Sequence, residues 1–359
     1  MTMRVAIIGC GLIGRKRATA LDEEDNLIAC CDTNEMAARR FAGDYRCDYF
    51  VDYKDLLAKV EPDITVVSVV NKYAKQIVID CLESGKHVLV EKPLGRNARE
   101  SADILNALQL SKSPSPSVPE FPRPQVPPSP NSSIFPSHPI LKTGFNHRFH
   151  AAVWKAKQLA DAGEIGRVFN IRAAYGHGGR PGMENEWRAS KELCGGGELL
   201  DQGVHVIDLI RWFGGEIREL VGKVETKFWK MEVEDNAYVV AKTERDVTAM
   251  FQVSWTNWKN VFSFEIFGSE GYLKISGLGG SYGDELLEIG RRKKEGGRPN
   301  VEVIEFPAED ISWKEEWKEF KHAISEKRNP IGDGYDGLKA NQVVEAIYSS
   351  SKENRAVSL

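Results

Sequence analysis

The chain has 359 residues, 28% of them charged, and a formal net charge of −4. This length predicts two domains, each large enough for its own core, and the near balance of charges argues against a nucleic-acid or membrane-surface partner. Its apolar stretches are too short to span a membrane and its six cysteines include no C-x-x-C pair, so we expect a cytoplasmic protein with reduced thiols and no metal site.

Residues 3–110 alternate between predicted strands and helices. The strands are expected at 4–8, 27–31, 64–70 and 87–90, and the helices at 12–22, 34–43, 73–84 and 97–110. This alternation predicts a parallel sheet with right-handed crossovers, that is, a doubly wound α/β Rossmann domain. Because a further strand is expected at 140–145, we assign residues 1–145 to this domain.

The first predicted strand ends in a glycine-rich turn, Gly9-Cys10-Gly11-Leu12-Ile13-Gly14. Such glycines allow a tight turn and let a pyrophosphate approach the amides at the start of the next helix. Asp32 ends the second strand, where an acid binds the ribose hydroxyls of NAD and repels the 2′-phosphate of NADP. A simple glycine turn and a strand-end aspartate are the alternatives. We therefore expect the cofactor to be NAD rather than NADP. The residues expected to bind it are Gly9, Gly11, Leu12, Ile13, Gly14 and Asp32.

The strand at 87–90 ends in Glu91-Lys92-Pro93. Ligands of open α/β sheets bind at the carboxyl ends of the strands, which places Lys92 at the mouth of the cofactor crevice. A lysine there can hydrogen-bond a substrate hydroxyl and lower the pKa of that hydroxyl. A solvated lysine at a strand end is the alternative.

Residues 111–139 hold 10 of the 16 prolines in the chain. Each proline removes an amide donor, and the segment has no apolar periodicity. We therefore expect an extended surface insertion with partly polyproline II character. A ligand for a proline-binding module is the alternative.

A glycine-rich loop with His177, Trp187 and Arg188 follows a predicted strand at 167–175. Arginine binds anions and tryptophan stacks on sugar faces, so these side chains suit a polar ligand. A mobile surface loop with one buried tryptophan is the alternative. Arg148, which precedes this strand, is a further candidate for an anionic group on the substrate.

The segment 198–213 is apolar on nearly all sides and predicts a buried helix between two glycine clusters. Asp201, His205 and Asp208 fall at i, i+4 and i+7, which places them on one face of that helix. A buried carboxylate and a buried imidazole are costly without partners, and such a titratable pair is typical of acid–base sites. A satisfied polar contact between helix and sheet is the alternative.

Long predicted strands follow this helix, at 219–230, 236–243, 246–256, 261–267 and 271–276. The alternation in 247–255 predicts an antiparallel sheet with two unlike faces. One face would pack on the helices, whereas the face that carries Met250 is mixed, poor in charges and suited to another subunit. We assign residues 146–359 to an α+β domain with a large, mostly antiparallel open sheet, which binds substrate and forms a homodimer or homotetramer.

These motifs occur in an order that is similar to the glucose–fructose oxidoreductase, inositol dehydrogenase and MocA family of sugar and polyol dehydrogenases. The motifs are the strand–GxGxxG–helix unit, Asp32, Glu91-Lys92-Pro93, Gly144-Phe145-Asn146-His147-Arg148-Phe149 and Gly-Gly-Gly…Asp201-x-Gly-x-His205-x-x-Asp208. The resemblance implies a two-domain enzyme with NAD(P) between the domains and catalytic residues at Lys92, Asp201 and His205. Relatives often carry a Thr-Pro-Asn stretch where this chain has Val69-Val70-Asn71, so only Asn71 matches that stretch. His147 stands where relatives often have arginine.

The resulting hypothesis is an NAD-dependent dehydrogenase that transfers a hydride between a hydroxyl of a sugar, sugar derivative or cyclic polyol and the nicotinamide. His205 would be the base, Asp201 would orient His205 or a substrate hydroxyl, and Lys92 would polarise the reacting oxygen. The alternatives are a glycosidase of the same fold that uses NAD transiently and a non-catalytic NAD-binding regulator. Further expected cofactor contacts are Asn71, Glu91 and Lys92, and expected substrate contacts are Lys92, Arg148, His177, Trp187, Arg188, Asp201 and His205.

Overall fold

The computed structural model describes residues 2–112 and 138–359. The insertion predicted for 111–139 therefore lies almost entirely outside the described residues. Within the described ranges the chain forms one sheet of six strands and one sheet of nine strands.

The first sheet is parallel throughout, as the alternation of the N-terminal sequence predicted. Its strands are β1 (Arg4–Ile8), β2 (Asn26–Cys31), β3 (Asp48–Phe50), β4 (Ile64–Val67), β5 (His87–Glu91) and β6 (Leu141–Gly144). The order β3-β2-β1-β4-β5-β6 confirms the doubly wound fold. Because the order reverses between β1 and β4, their carboxyl ends border the crevice in which such folds bind ligands.

Five helices connect the strands within residues 2–112: α1 (Leu12–Thr19), α2 (Glu35–Tyr45), α3 (Tyr53–Lys59), α4 (Asn71–Glu83) and α5 (Ala98–Lys112). Side-chain caps start three of them, because Asn34 accepts from the amide of Ala37, Asp52 from the amide of Lys54 and Asn97 from the amide of Glu100. The sequence did not predict β3 or α3. The three residues of β3 are not buried, so they lack the apolar run that marks its neighbours.

The second sheet has the order β14-β13-β12-β11-β7-β10-β9-β8-β15 when its strands are numbered along the chain. The strands are β7 (Val168–Gly176), β8 (Ile217–Glu225), β9 (Asn236–Thr243), β10 (Thr248–Ser254), β11 (Val261–Gly268), β12 (Gly271–Ser276), β13 (Leu286–Arg291), β14 (Asn300–Glu305) and β15 (Val357–Ser358). β7 pairs in parallel with β10, whereas the other strand pairs described for this sheet are antiparallel. The expected, mostly antiparallel sheet is thus confirmed. Phe251 is buried and Met250 is exposed, as the alternation in 247–255 predicted.

The helices of the second part are α6 (Ala151–Asp161), α7 (Lys191–Cys194), α8 (Val204–Gly214), α9 (Ser312–Glu326) and α10 (Gly334–Glu353). The helix predicted at 198–213 begins with a π-helical turn, Leu199–Gly203, before α8. α9 packs Trp317, Phe320 and Ile324 into the core of the first sheet. The chain beyond the predicted boundary at residue 146 therefore also stabilises the Rossmann sheet. In the described ranges, no helix combines the length and apolarity that a membrane crossing needs.

Candidate active site

The glycine-rich turn after β1 is shaped by close backbone contacts. Gly9 has a φ of 103°, and a Cβ there would lie 2.4 Å from the carbonyl oxygen of Ser68. A Cβ on Gly14 would lie 2.0 Å from the carbonyl oxygen of Gly9. A Cβ on Gly11 would meet no atom within 4 Å, so this turn leaves open space beside its backbone. That space is the cradle that a dinucleotide pyrophosphate requires.

Asp32 joins the end of β2 to this turn. Its Oδ2 accepts from the amide of Cys10 at 2.9 Å, and its Oδ1 accepts from the amide of Asn34 at 2.9 Å. The carboxylate therefore lies beside the glycine-rich turn, where an acid can bind ribose hydroxyls. The cradle and this acid together fit a bound NAD.

A single cleft of about 1210 Å³ connects the glycine-rich turn with residues of the second part. Most of the predicted site residues line it. The lining includes Gly9, Gly11, Leu12, Ile13, Asp32, Asn71, Glu91, Lys92, Trp187, Arg188, Asp201 and His205. Gly14, Arg148 and His177 lie outside this lining.

Lys92 and Asp201 form an ion pair in the cleft. Lys92 follows β5 directly, and its Nζ lies 2.8 Å from Oδ1 of Asp201 in the π-helical turn. Arg188 places its Nε 3.4 Å from the other carboxylate oxygen. Burial opposes ionisation of Asp201, but Lys92 and Arg188 outweigh it and lower the pKa of this carboxyl to about 2. Asp201 is therefore an anion that holds Lys92 in place.

His205 stacks on His147 with 3.7 Å between the ring centroids and 20° between the planes. Nδ1 of His205 is buried without a hydrogen-bond partner. Burial, and next the charge of Lys92, lower the pKa of His205 well below its ordinary value. The imidazole is therefore neutral at neutral pH and able to accept a proton.

The segment that was predicted to align Asp201, His205 and Asp208 on one face consists of a π-helical turn followed by α8. Asp201 lies in the π-helical turn, whose hydrogen bonds run i→i+5, whereas His205 and Asp208 lie in α8. Asp201 and His205 both line the cleft, where Asp201 pairs with Lys92. Asp208 lies one helix turn further along and is fully buried.

Arg148 binds Asp208 in the protein interior. Its Nε and Nη2 lie 2.7 and 2.5 Å from the two carboxylate oxygens, and Asp336 lies 3.1 Å from Nη2. This corrects the expected substrate contact at Arg148, because its guanidinium is buried and engaged by two carboxylates. Asp208, the last residue of the motif Asp201-x-Gly-x-His205-x-x-Asp208, thus has a structural partner in Arg148.

Two other predicted residues, Glu91 and Asn71, are held by neighbours around the cleft. Glu91 accepts from Nε of Arg17 at 2.6 Å, and Arg17 also binds Glu316 of α9. The side-chain amide of Asn71 donates to the carbonyl of Cys194 at 2.8 Å. These contacts anchor the residues on either side of the Lys92–Asp201 pair.

The loop after β7 contributes unevenly to the cleft. The guanidinium of Arg188 lies 4.5 Å from the ring centroid of Trp187, and both residues line the cleft. His177 instead turns its Nδ1 to the amide of Gly179 at 2.8 Å. The structure therefore brings Trp187 and Arg188, but not His177, to the cleft wall.

Two cleft residues, His147 and Tyr175, were not predicted as site residues. Nε2 of His147 lies 3.0 Å from the hydroxyl of Tyr175. The available signal for Tyr175 was its place near the carboxyl end of β7. In the ranges that the structure covers, no group of three His, Cys, Asp or Glu side chains could hold a metal ion.

Comparisons with known proteins match both parts of the chain to oxidoreductase models. Residues 3–113 match the oxidoreductase family with an NAD-binding Rossmann fold, and residues 153–274 match the GFO/IDH/MocA C-terminal domain. Levoglucosan dehydrogenase of Pseudarthrobacter phenanthrenivorans is 30% identical over 184 residues, which are 50% of this chain and 39% of that enzyme. The matched part thus spans less than half of that relative.

Myo-inositol 2-dehydrogenase of Thermotoga maritima is 26% identical over 372 residues, which cover 99% of this chain and 98% of that enzyme. A solved structure of levoglucosan dehydrogenase with NADH and levoglucosan superposes with a TM-score of 0.85 at 19% identity, covering 100% of this chain and 99% of that chain. This likeness shows the fold. Because the two family models together match well over half of the sequence, the chain belongs to the GFO/IDH/MocA oxidoreductase family, with an NAD-binding Rossmann domain.

Proposed function

We propose that the protein is an NAD-dependent dehydrogenase that oxidises a hydroxyl of a sugar, sugar derivative or cyclic polyol. The observation that carries this proposal is the position of Lys92, Asp201 and His205 in the same cleft as the glycine-rich turn and Asp32. An acid–base group beside a dinucleotide site is the arrangement that hydride transfer from an alcohol requires.

The residues of the first domain support NAD as the cofactor. The amides after Gly11 would bind the pyrophosphate, and Asp32 would accept hydrogen bonds from the ribose hydroxyls. A 2′-phosphate would bring negative charge to the same carboxylate, which favours NAD over NADP. Bound NAD supplies the hydride acceptor.

The residues of the second part support proton removal from the substrate. His205 is neutral and lines the cleft, so it can take the hydroxyl proton as a general base. Lys92, fixed by Asp201, would donate a hydrogen bond to the reacting oxygen as negative charge develops there. Asp201 acts on Lys92 in this proposal, rather than on His205.

The substrate class rests on the cleft lining and on the relatives. Trp187 offers an aromatic face and Arg188 and Asp201 offer polar groups, which suit a polyhydroxylated ring. The similar enzymes are named for levoglucosan, myo-inositol and D-glucosides. We therefore place the substrate among cyclic sugars and polyols.

Homo-oligomerisation through the second sheet is part of the proposal. Its open face carries a groove of about 660 Å³. Val221, Tyr238, Val240 and Met250 line the groove and expose between 43% and 53% of their surface. Arg172, Lys223 and Glu265 also line the groove, so the face carries more charge than the sequence predicted. Exposed apolar side chains grouped in this way are typical of a subunit interface.

A substrate panel tests this function. Purified protein is mixed with NAD and with inositols, anhydrosugars, free sugars and glucosides, and NADH is followed by absorbance. We expect NADH formation with at least one cyclic sugar or polyol. Cleavage of a glycoside without net NADH would favour the transient-NAD glycosidase, and NAD binding without turnover on the whole panel would favour the regulator.

A further inference from the structure

The residue that stacks on the proposed base, His147, has a hydrogen bond at each end of its ring. We propose that His147 is a positioning residue for His205: a neutral imidazole, locked as the Nδ1–H tautomer, whose ring face supports His205 while it carries the proton removed from the substrate. This inference rests on the proposed function, since it assigns a supporting group to the same base.

The direction of each hydrogen bond around His147 follows from a carboxylate that can only accept. Oγ of Ser312 donates to Asp310 at 2.6 Å, so it accepts from Nδ2 of Asn146 at 2.9 Å. This fixes the Asn146 amide with Oδ1 towards His147, where it lies 3.2 Å from Nδ1. Because Oδ1 has no proton, Nδ1 of His147 must donate.

The other end of the ring then has a defined role as well. When His147 is neutral and carries its proton on Nδ1, its Nε2 is an acceptor, and the hydroxyl of Tyr175 donates to it at 3.0 Å. Burial raises the pKa of Tyr175 well above its ordinary value, so this hydroxyl keeps its proton. The chain from Asp310 to Tyr175 therefore satisfies a neutral imidazole at both nitrogens.

The surroundings of the two stacked rings favour that neutral form. Burial lowers the pKa of His147 well below its ordinary value, and its histidine and lysine neighbours lower it further. The titratable and charged groups that face the two rings are Arg17, Lys92, His150 and Tyr175, and those near Tyr175 are Glu198, Asp201 and Tyr282.

A neutral ring face beneath His205 has a direct consequence for proton transfer. Stacked rings cannot pass a proton between them, because N–H bonds lie in the ring planes, so His147 does not extend a relay. It instead offers π density to an imidazolium on His205, which is a favourable cation–π contact in a desolvated site. A positive charge at position 147 would oppose the same protonation.

Nuclear magnetic resonance of histidine-labelled protein tests the tautomer without any substrate. The spectrum of the wild type is compared with that of His147→Phe to assign the His147 signals. We expect a neutral Nδ1–H imidazole throughout the pH range in which the protein is folded and active. An Nε2–H tautomer, or an imidazolium near neutral pH, would overturn the proposal.

The pH dependence of kcat/KM in His147 variants tests whether His147 affects the protonation of His205. The oxidation needs neutral His205, so kcat/KM falls as the pH drops through the pKa of this base. His147→Arg adds a charge beneath the ring, and we expect the acid limb to move to lower pH by about one unit or more, with kcat reduced on the order of tenfold. His147→Phe keeps an uncharged ring, so its acid limb should shift much less.

Each outcome of this comparison is decisive. Equal acid limbs for wild type and His147→Arg, or equal shifts for His147→Arg and His147→Phe, would overturn the electrostatic role. Thermal melting and NADH binding verify that each variant is folded, and if His147→Arg does not fold, the tautomer measurement decides. Absence of turnover by the wild type on every substrate would contradict the proposed function. The tautomer measurement would still test whether His147 is a neutral Nδ1–H imidazole.

Discussion

Nζ of Lys92 lies 2.8 Å from Oδ1 of Asp201, so an ion pair joins the end of a Rossmann strand to the π-helical turn of the second part. The two residues are separated by 109 positions in the sequence. The pair holds the lysine in the cleft and keeps the aspartate ionised. The proposed chemistry depends on this contact, because the hydrogen-bond donor to the substrate oxygen must be held in position.

Replacing Asp201 by Asn is expected to lower kcat and to change the pH dependence of stability. The pKa of Asp201 is about 2 in the folded protein, below the ordinary value of 3.8. A depressed pKa stabilises the fold above the unfolded value and loses that contribution as the pH falls through the folded value. Urea titrations should show the wild type more stable than Asp201→Asn by roughly 2 kcal/mol at neutral pH.

The difference between these two proteins should narrow as the pH falls below about 4 and vanish near the pKa of the folded protein. A difference that stays constant over this range would mean that Asp201→Asn acts through packing alone. Lys72→Ala, which breaks an exposed ion pair with Glu192, is the control and should change stability little.

Asp32→Ser should narrow the preference for NAD over NADP. The serine still offers a hydroxyl to the ribose but removes the charge that opposes a 2′-phosphate. Fluorescence titrations with NADH and NADPH measure both affinities. Tighter NADPH than NADH binding by the wild type would contradict the assigned role of Asp32 and would direct attention to Arg15 and Lys16 as phosphate partners.

Asp208→Ala should destabilise the fold much more than it changes cofactor binding. The substitution leaves the guanidinium of Arg148 buried with Asp336 as its remaining acidic partner. Removing one member of a buried ion pair typically costs about 3–5 kcal/mol. Chemical denaturation measures the loss, and NADH affinity of the folded fraction is the comparison. A variant of unchanged stability with lost substrate turnover would show that Asp208 acts in catalysis instead.

Met250→Lys should shift the protein to smaller assemblies. Met250 pairs with Val240 on the open face of the second sheet, and both are about half exposed in the single chain. A lysine there would place a charge in the proposed interface. Light scattering should detect the shift. Met36→Lys, at an exposed position of α2, is the control. A wild type that is monomeric at micromolar concentration would rule out the interface.

The elements that could be predicted from the sequence are those with strong apolar runs. β1, β4 and β5 are buried along most of their length, so their residues mark a parallel sheet without knowledge of neighbours. β3 has three residues and no buried position, so nothing in its composition distinguishes it from a loop. The period of an α-helix also cannot reveal the π-helical turn that carries Asp201.

The sequence likewise predicts only part of the candidate site. The glycine-rich turn, Asp32, Lys92 and His205 carry their chemistry in local motifs, and the fold brings them to one cleft. Arg148 could not be placed in advance, because its carboxylate partner lies 60 residues away. The role of His147 could not be recognised in advance either, because its contacts with His205 and Tyr175 join residues that are distant in the sequence.

The most direct test of the central claim follows the hydride itself. A substrate identified in the panel is prepared with deuterium on the carbon that is oxidised, and the NADH formed is analysed by mass spectrometry for wild type and His205→Ala. We expect one deuterium in each NADH, a slower reaction with the labelled substrate, and a loss of about 10²–10⁴ in kcat for His205→Ala. Unlabelled NADH, or His205→Ala with wild-type turnover, would contradict the central claim.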